Sequence, residues 1–370
     1  MNQISSKETV KSSRLISLDA FRGFTMFLLI AEFAGLFHYL NDPYFKGTLV
    51  GFLGEQLEHH PWHGLHFWDL IQPFFMFIVG VAIPFSEKNR LRKGSTDKEV
   101  RIHAFKRSAI LLFLGWALYC IVPGRIVFRF QNVLAQLSVT YLVAFLLRNK
   151  SIKLQFIVSL LFILASEILY RTFPLAGYNQ PFVPDHNFGA YFDMLISGEL
   201  SGGHWVSFNA IPTTAHTIWG VMTGKLLLSG KPKKQILKIL IISGITGLIL
   251  GYGLDPITPI IKRISTSSFV FVSGGWAVLA FALFYWIIDM KEYRNWAKFA
   301  IIIGMNPLFV YLFAHVGGGE FIRNIIQPFT FGLFDRFGDL TANIITGSIT
   351  WFLLWYVTYW LYKHKIFIRI

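Results

Sequence analysis

The chain has 370 residues, 54% of them hydrophobic, 17% aromatic and only 15% charged, which is more apolar surface than a soluble core can bury; the excess must face lipid. Its net charge of +14 does not call for nucleic acid, because membrane proteins concentrate Lys and Arg in cytoplasmic loops. The single cysteine, Cys120, rules out a disulfide framework and a cysteine-based metal site.

The polar segment Met1 to Ser13 carries Lys7 and Lys11 ahead of Arg14, like the basic region of a signal peptide. The stretch that follows holds Asp19, Arg22 and Glu32 and has no small-residue cleavage site, so residues 1–15 read as a short cytoplasmic segment before a retained first span. Ten apolar stretches follow one another, at 16–38, 66–85, 108–123, 131–147, 154–170, 209–229, 236–253, 268–288, 297–315 and 343–361. With the N-terminus inside, 25 of the 34 Lys and Arg fall in or beside cytoplasmic segments and 8 in outer loops, which orients both ends inward. The expectation is an all-α polytopic membrane helix bundle of about ten spans, one domain over 1–370, with both termini cytoplasmic. Residues 320–337 mix apolar residues with Arg323, Asp335 and Arg336 and contain Pro328; they are expected to form an amphipathic segment on the outer surface. The longest outer loop, 171–208, is rich in Gly, Pro and aromatics and suits an external lid.

The stretch Gln56 to Leu70 places His59, His60, His63, His66, two tryptophans and two acids, Glu58 and Asp69, at the mouth of the second span. Nine of the eleven histidines fall on the outer side, which points to an outward-opening polar site. Three readings of the cluster stand. His59 and His63 are four apart and would share a metal on a helix, although Pro61 and Gly64 interrupt one there. Interfacial histidines solvated in a loop are the plainest alternative, and acid/base or nucleophilic chemistry is the third. Inside the spans lie Asp19, Arg22, Glu32, Asp69, Gln72, Gln136, His216 and Asn306; each charge costs on the order of 2.5–3.5 kcal/mol at the membrane centre, so these groups should face a cavity or one another. Asp19 and Arg22, three apart, fit a structural ion pair as well as a ligand contact. Alone, such residues fit a transporter as well as an enzyme.

Taken together, Arg14-Leu-Ile-Ser-Leu-Asp-Ala-Phe-Arg-Gly23, His59-His-Pro-Trp-His-Gly64, Asp69-Leu-Ile-Gln-Pro73 with Phe77-Ile-Val-Gly80, Gln136-Leu-Ser-Val-Thr-Tyr141, Gly304-Met-Asn306 and Tyr362-Lys-His-Lys-Ile-Phe367 resemble the heparan-alpha-glucosaminide N-acetyltransferase family and its bacterial relatives. The resemblance runs in order over nearly the whole chain. It implies transfer of acetyl from cytosolic acetyl-CoA across the membrane to an extracytoplasmic acceptor, with the family's catalytic histidine at His59, three residues ahead of Trp62, and His60 as the near alternative. Glu32 and Asp69 join these as expected catalytic residues. Asp19, Arg22, Asn306 and Gln136 are expected to line the path of acetyl-CoA, and no metal is expected. Lys262 and Arg263 match a family lysine before the eighth span but fall at the outer boundary, away from any adenine site.

Two departures lie on the acceptor side: Glu32-Phe33 where the animal enzyme has an Asn, and Gly203-His204-Trp205 where many relatives carry Asp-Pro-Glu. Glucosamine specificity therefore does not transfer. The expected protein is a multi-pass enzyme of the bacterial inner membrane acting on an amino sugar or envelope glycan, with a homodimer compatible. The alternative is a proton-coupled transporter of a sugar or acylated envelope intermediate, with His59 and Glu32 as coupling groups.

Overall fold

The computed structural model describes residues 15–121, 123–368 and 370; most of the expected N-terminal segment 1–15 lies outside them. Among the described residues every regular element is helical. The helices are α1 Ile16–Phe33, α2 Leu36–Leu40, α3 Leu49–Gln56, α4 Ile71–Arg92, α5 Asp97–Ile121, α6 Val133–Leu147, α7 Ile152–Thr172, α8 Phe188–Ser197, α9 Ala210–Leu228, α10 Lys233–Leu254, α11 Ser267–Phe284, α12 Lys298–Gly304, α13 Pro307–Phe313, α14 Gly319–Phe334 and α15 Asp339–Lys363. Side-chain caps start several of them: Asn132 accepts from Ala135 N–H, Ser151 from Leu154 N–H and Asn187 from Ala190 N–H, each satisfying a donor the helix leaves open.

α1, α4, α9 and α11 form the interior. Phe21, Phe77 and Phe281 interleave between α1, α4 and α11, and Met26, Ile30, Met76 and Trp68 fill the neighbouring core. Glycine sets the closest approaches. A Cβ on Gly220 of α9 would lie 2.2 Å from Phe77 O of α4, and one on Gly23 of α1 would lie 1.8 Å from Ala300 O of α12. Helices in lipid gain from such backbone contact because burying apolar surface against one another brings them little. The outer helices turn large apolar side chains away from the protein: Phe113, Leu164, Ile249 and Phe352 are all more than half exposed, a surface suited to lipid. At one end of the bundle the buried Arg148 ties α4 to α5 through Glu87 (2.7 Å) and Asp97 (2.9 Å).

By length and composition six helices are suited to crossing a membrane, α4, α5, α7, α10, α11 and α15, or seven if α12 and the α13–α14 run count as one bent span. The ten expected stretches all carry helix, but four fall short of that measure for local reasons. α1 holds three charged residues, α6 has only 15 residues, α9 is interrupted by Thr213, Thr214, His216 and Thr217, and the 297–315 stretch breaks between α12 and α13 with a bend of 73°. α14 runs through Pro328 without a break. α14 packs on α15 and leaves Phe321, Ile325, Phe329 and Leu333 as an exposed apolar stripe at helical spacing.

Candidate active site

Between α3 and the 3-10 turn Phe67–Leu70 the chain forms no helix, so His59 and His63 do not share a helix face. Gly64, at a φ of 144°, lets the loop fold against the His60 ring and places its N–H 2.9 Å from Ile260 O, tying this loop to the one that precedes α11. His63 turns outward to Asp255, at 2.9 Å. Among the described residues no group of three or more His, Cys, Asp or Glu is placed to hold a metal.

His59 points to Asp69. The carboxylate is 1% exposed and fixed from two directions: its Oδ2 accepts the backbone N–H of His66 (2.9 Å) and of His60 (3.3 Å), while its Oδ1 lies 2.9 Å from His59 Nδ1. A carboxylate only accepts, which puts the proton on His59 Nδ1 and leaves Nε2 bare; the Lys262 ammonium, which only donates, would call for the opposite tautomer, and the contact to Asp69 is the shorter of the two. Lys262 completes the group, with Nζ 3.1 Å from His59 Nδ1 and 3.7 Å from Asp69 Oδ1. Trp205 meets the His59 ring edge-on at 5.1 Å, and both Lys262 and Arg263 lie 5.2 Å from the Trp205 ring centre. Below, Trp68 donates through Nε1–H to Glu32 Oε1 at 3.1 Å. Burial pushes the His59 imidazole down to about 4, and the charge of Lys262 acts in the same direction while Asp69 opposes both. Burial likewise lowers the Lys262 ammonium to about 8, against the pull of Asp69 and Glu32. His60 reaches Asp69 only through its backbone; its ring lies 4.7 Å from that of His66. The 171–208 segment closes over this cluster: Trp62 Nε1–H donates to Phe182 O (2.8 Å), His204 pairs with Asp185 (2.6 Å), and Arg263 donates to Gly203 O.

A concavity of about 740 Å³ opens where α1, the last turns of α4, α5 and the α12–α13 break come together. Arg22, Arg90, Lys93 and Arg107 line it with Asp19, so cations outnumber acids. Arg22 pairs with Asp19 at 2.6 Å and donates to Gly304 O at 2.9 Å, so the expected ion pair and the cavity wall are the same residues. Asn306 lies behind the wall, where it accepts from Ile368 N–H and donates to Ile366 O, both at 2.9 Å, pinning the C-terminal segment whose Ile368 and Ile370 line the cavity. Gln136 does not reach the cavity: it bonds Gln72 of α4 and donates to Gln131 O, an interhelical contact in the core.

Asp69 and Arg90 sit at opposite ends of α4, whose 22 residues span ~33 Å at the helical rise. Of the residues singled out from sequence, His59, Asp69 and Glu32 converge at one end of α4, and Asp19 and Arg22 at the other. Sequence reasoning missed Lys262 as a partner of His59, 203 residues away, although it did place Lys262 at the outer boundary.

Residues 14–252 match a family model described as "Heparan-alpha-glucosaminide N-acetyltransferase, catalytic". The human protein named heparan-alpha-glucosaminide N-acetyltransferase is 26% identical over 429 aligned positions, covering 96% of this chain and 60% of the human one. The mouse protein of the same name is 26% identical over 436 positions, covering 98% of this chain and 62% of its own length. The chain thus spans about three fifths of the relatives it matches.

Proposed function

Because the chain belongs to the heparan-alpha-glucosaminide N-acetyltransferase catalytic family, we propose that it is a transmembrane acyltransferase: it carries an acetyl or similar acyl group from cytosolic acyl-CoA to a sugar amine or hydroxyl on the opposite side. The observation that carries this reading is the division of labour along α4, with a cation-lined cavity at one end and a carboxylate-oriented histidine at the other. Arg90, Lys93 and Arg107 offer charge-assisted contacts to the phosphates of the donor, and Arg22 stands on the way inward. On this reading that end faces the cytosol, which the Lys and Arg bias supports, with ten crossings in all, both termini inside, and the bacterial inner membrane as the site of action.

A thioester is already activated, so the protein has to position it, accept a proton or an acyl group, and exclude water. His59 Nε2 is the group that does this. As a nucleophile it attacks the thioester carbonyl; the C–S bond breaks, CoA leaves as the thiolate, and the acetyl-imidazole then passes its acyl group to the acceptor, whose proton returns to the medium. As a base it takes the proton of an acceptor attacking the thioester directly, a contribution of ~10²–10⁴-fold. Both routes need the ring neutral and Nε2 bare, which is what the Nδ1–H to Asp69 bond provides. The transporter reading calls for none of these groups to meet acyl-CoA, and family membership favours the enzyme.

Purified protein in liposomes, given acetyl-CoA on the cavity side and glucosamine or a glycan fragment on the other, should release free CoA in step with acceptor acetylation. His59→Ala should bind acetyl-CoA with unchanged affinity and lose transfer by at least ~10²-fold. Turnover at the wild-type rate in a folded His59→Ala protein would remove His59 from the reaction.

A further inference from the structure

The chemistry above gives Lys262 no task. Its side chain is only 7% exposed and its ammonium is set against both members of the His59–Asp69 pair. We propose that Lys262 is a positioning residue that holds the His59 ring in its neutral, singly protonated form, so that Nε2 remains available when the outer medium turns acidic. The proposal rests on His59 being the reacting group.

The geometry gives the reason. An isolated Asp–His pair favours the doubly protonated ring, because the carboxylate lowers the energy of the positive charge. Here Asp69 Oδ1 is shared: Lys262 already supplies a positive charge 3.7 Å away, and the Nδ1 that would belong to an imidazolium is 3.1 Å from the same ammonium. One carboxylate cannot balance two cations in a buried site. The other charged groups facing the cluster do not make up the deficit. Arg263, from the same loop as Lys262, adds further positive charge over Trp205. Glu32, from α1, accepts from the Trp68 indole and pulls on the Lys262 charge, so it offsets part of the deficit, but it makes no contact with His59. His60 and His66 contribute backbone donors to Asp69, drawing its other oxygen away, and the nearest acid to the His66 ring is the exposed Glu55, at 3.9 Å. Burial of the ring acts in the same direction as Lys262, so removing the lysine should restore part of its basicity rather than all of it.

The test reads the protonation of His59 without relying on catalysis. Diethyl pyrocarbonate acylates only unprotonated imidazole, and His59, 31% exposed, is open to it. The rate of His59 labelling in detergent-solubilised protein is followed from pH 3.5 to 8 by mass spectrometry, with fragment ions separating His59 from His60. Wild type should show a midpoint near 4. Lys262→Met should raise it by about one pH unit or more, which slows labelling at pH 4.5 roughly threefold or more. Lys262→Arg keeps the charge and should keep the wild-type midpoint. If Lys262→Met does not fold, Lys262→Gln removes the charge while keeping a polar head. A midpoint that stays at the wild-type value in a folded, charge-removed variant overturns the proposal. The acid limb of acyl transfer should move with the labelling midpoint; labelling that shifts as expected while no variant or wild type transfers acyl groups would leave the effect of Lys262 on His59 protonation standing and sink the enzymatic reading instead.

Discussion

Replacing Asp69 with Asn changes one atom and should separate orientation from packing. The carboxylate has two jobs: Oδ2 receives two backbone N–H groups and Oδ1 receives His59. An asparagine can keep the backbone bonds only by turning its carbonyl towards them, which aims its NH2 at His59 Nδ1. The ring then accepts at Nδ1 and carries its proton on Nε2, the wrong tautomer for either route. In Asp–His pairs of this kind the same exchange lowers kcat by as much as ~10⁴-fold. A loss of ~10³-fold in transfer is expected here, equivalent to ~4 kcal/mol at ~1.36 kcal/mol per decade. The exchange also strips Lys262 of its carboxylate partner in a buried setting, a destabilisation of about 3 kcal/mol. The assay is CoA release by a thiol reagent, with helical circular dichroism and a melting curve run in parallel and acetyl-CoA affinity measured separately. A folded Asp69→Asn protein that turns over within about tenfold of wild type would refute the assignment of tautomer and, with it, the orienting role of Asp69.

Two further expectations concern the donor end and the helix packing. The double change Arg90→Gln with Arg107→Gln should raise KM for acetyl-CoA by about tenfold or more with kcat unchanged, since each charge-assisted contact to a phosphate contributes ~1.5–3 kcal/mol; the variant's KM should also respond less to added salt, and an unaltered KM places the donor elsewhere. Gly220→Val should destabilise the protein by about 3 kcal/mol or more, because its Cβ would meet backbone on α4 and force the two helices apart; a melting temperature equal to wild type would show that the α4–α9 contact yields more easily than its geometry implies.

Much of this arrangement can be read before any coordinates. Apolar runs locate the helices, and the density of titratable groups between Gln56 and Leu70 marks one end of α4 as a place for chemistry. His59 and Asp69 are 10 residues apart, so chain proximity brings them together, whereas Glu32, 36 residues before Trp68, joins them through the packing of α1. Lys262 is different in kind. Its place beside His59 depends on the Gly64–Ile260 backbone bond joining two distant loops, and no local pattern encodes that pairing. Gln136 is the converse case: a polar residue in an apolar helix has the same appearance whether it meets a ligand or a neighbouring glutamine, and here it meets Gln72. The break in the 297–315 stretch was legible in part, since Pro307 directly after Asn306 suits the first position of a new helix and not the interior of an old one.

The helix that follows directly on the Asp69 turn and carries Arg90 near its other end also works as a gauge. Under the proposed function, its ~33 Å length sets how far a donor gripped by its phosphates must extend its thioester, and selection among acyl carriers would follow from reach. Carriers with a truncated arm would dock at the basic mouth and stop short of the imidazole. Adding a single residue to α4 would swing its far tip by about 100° and advance it ~1.5 Å, so the two faces of the membrane would fall out of register while each stayed intact.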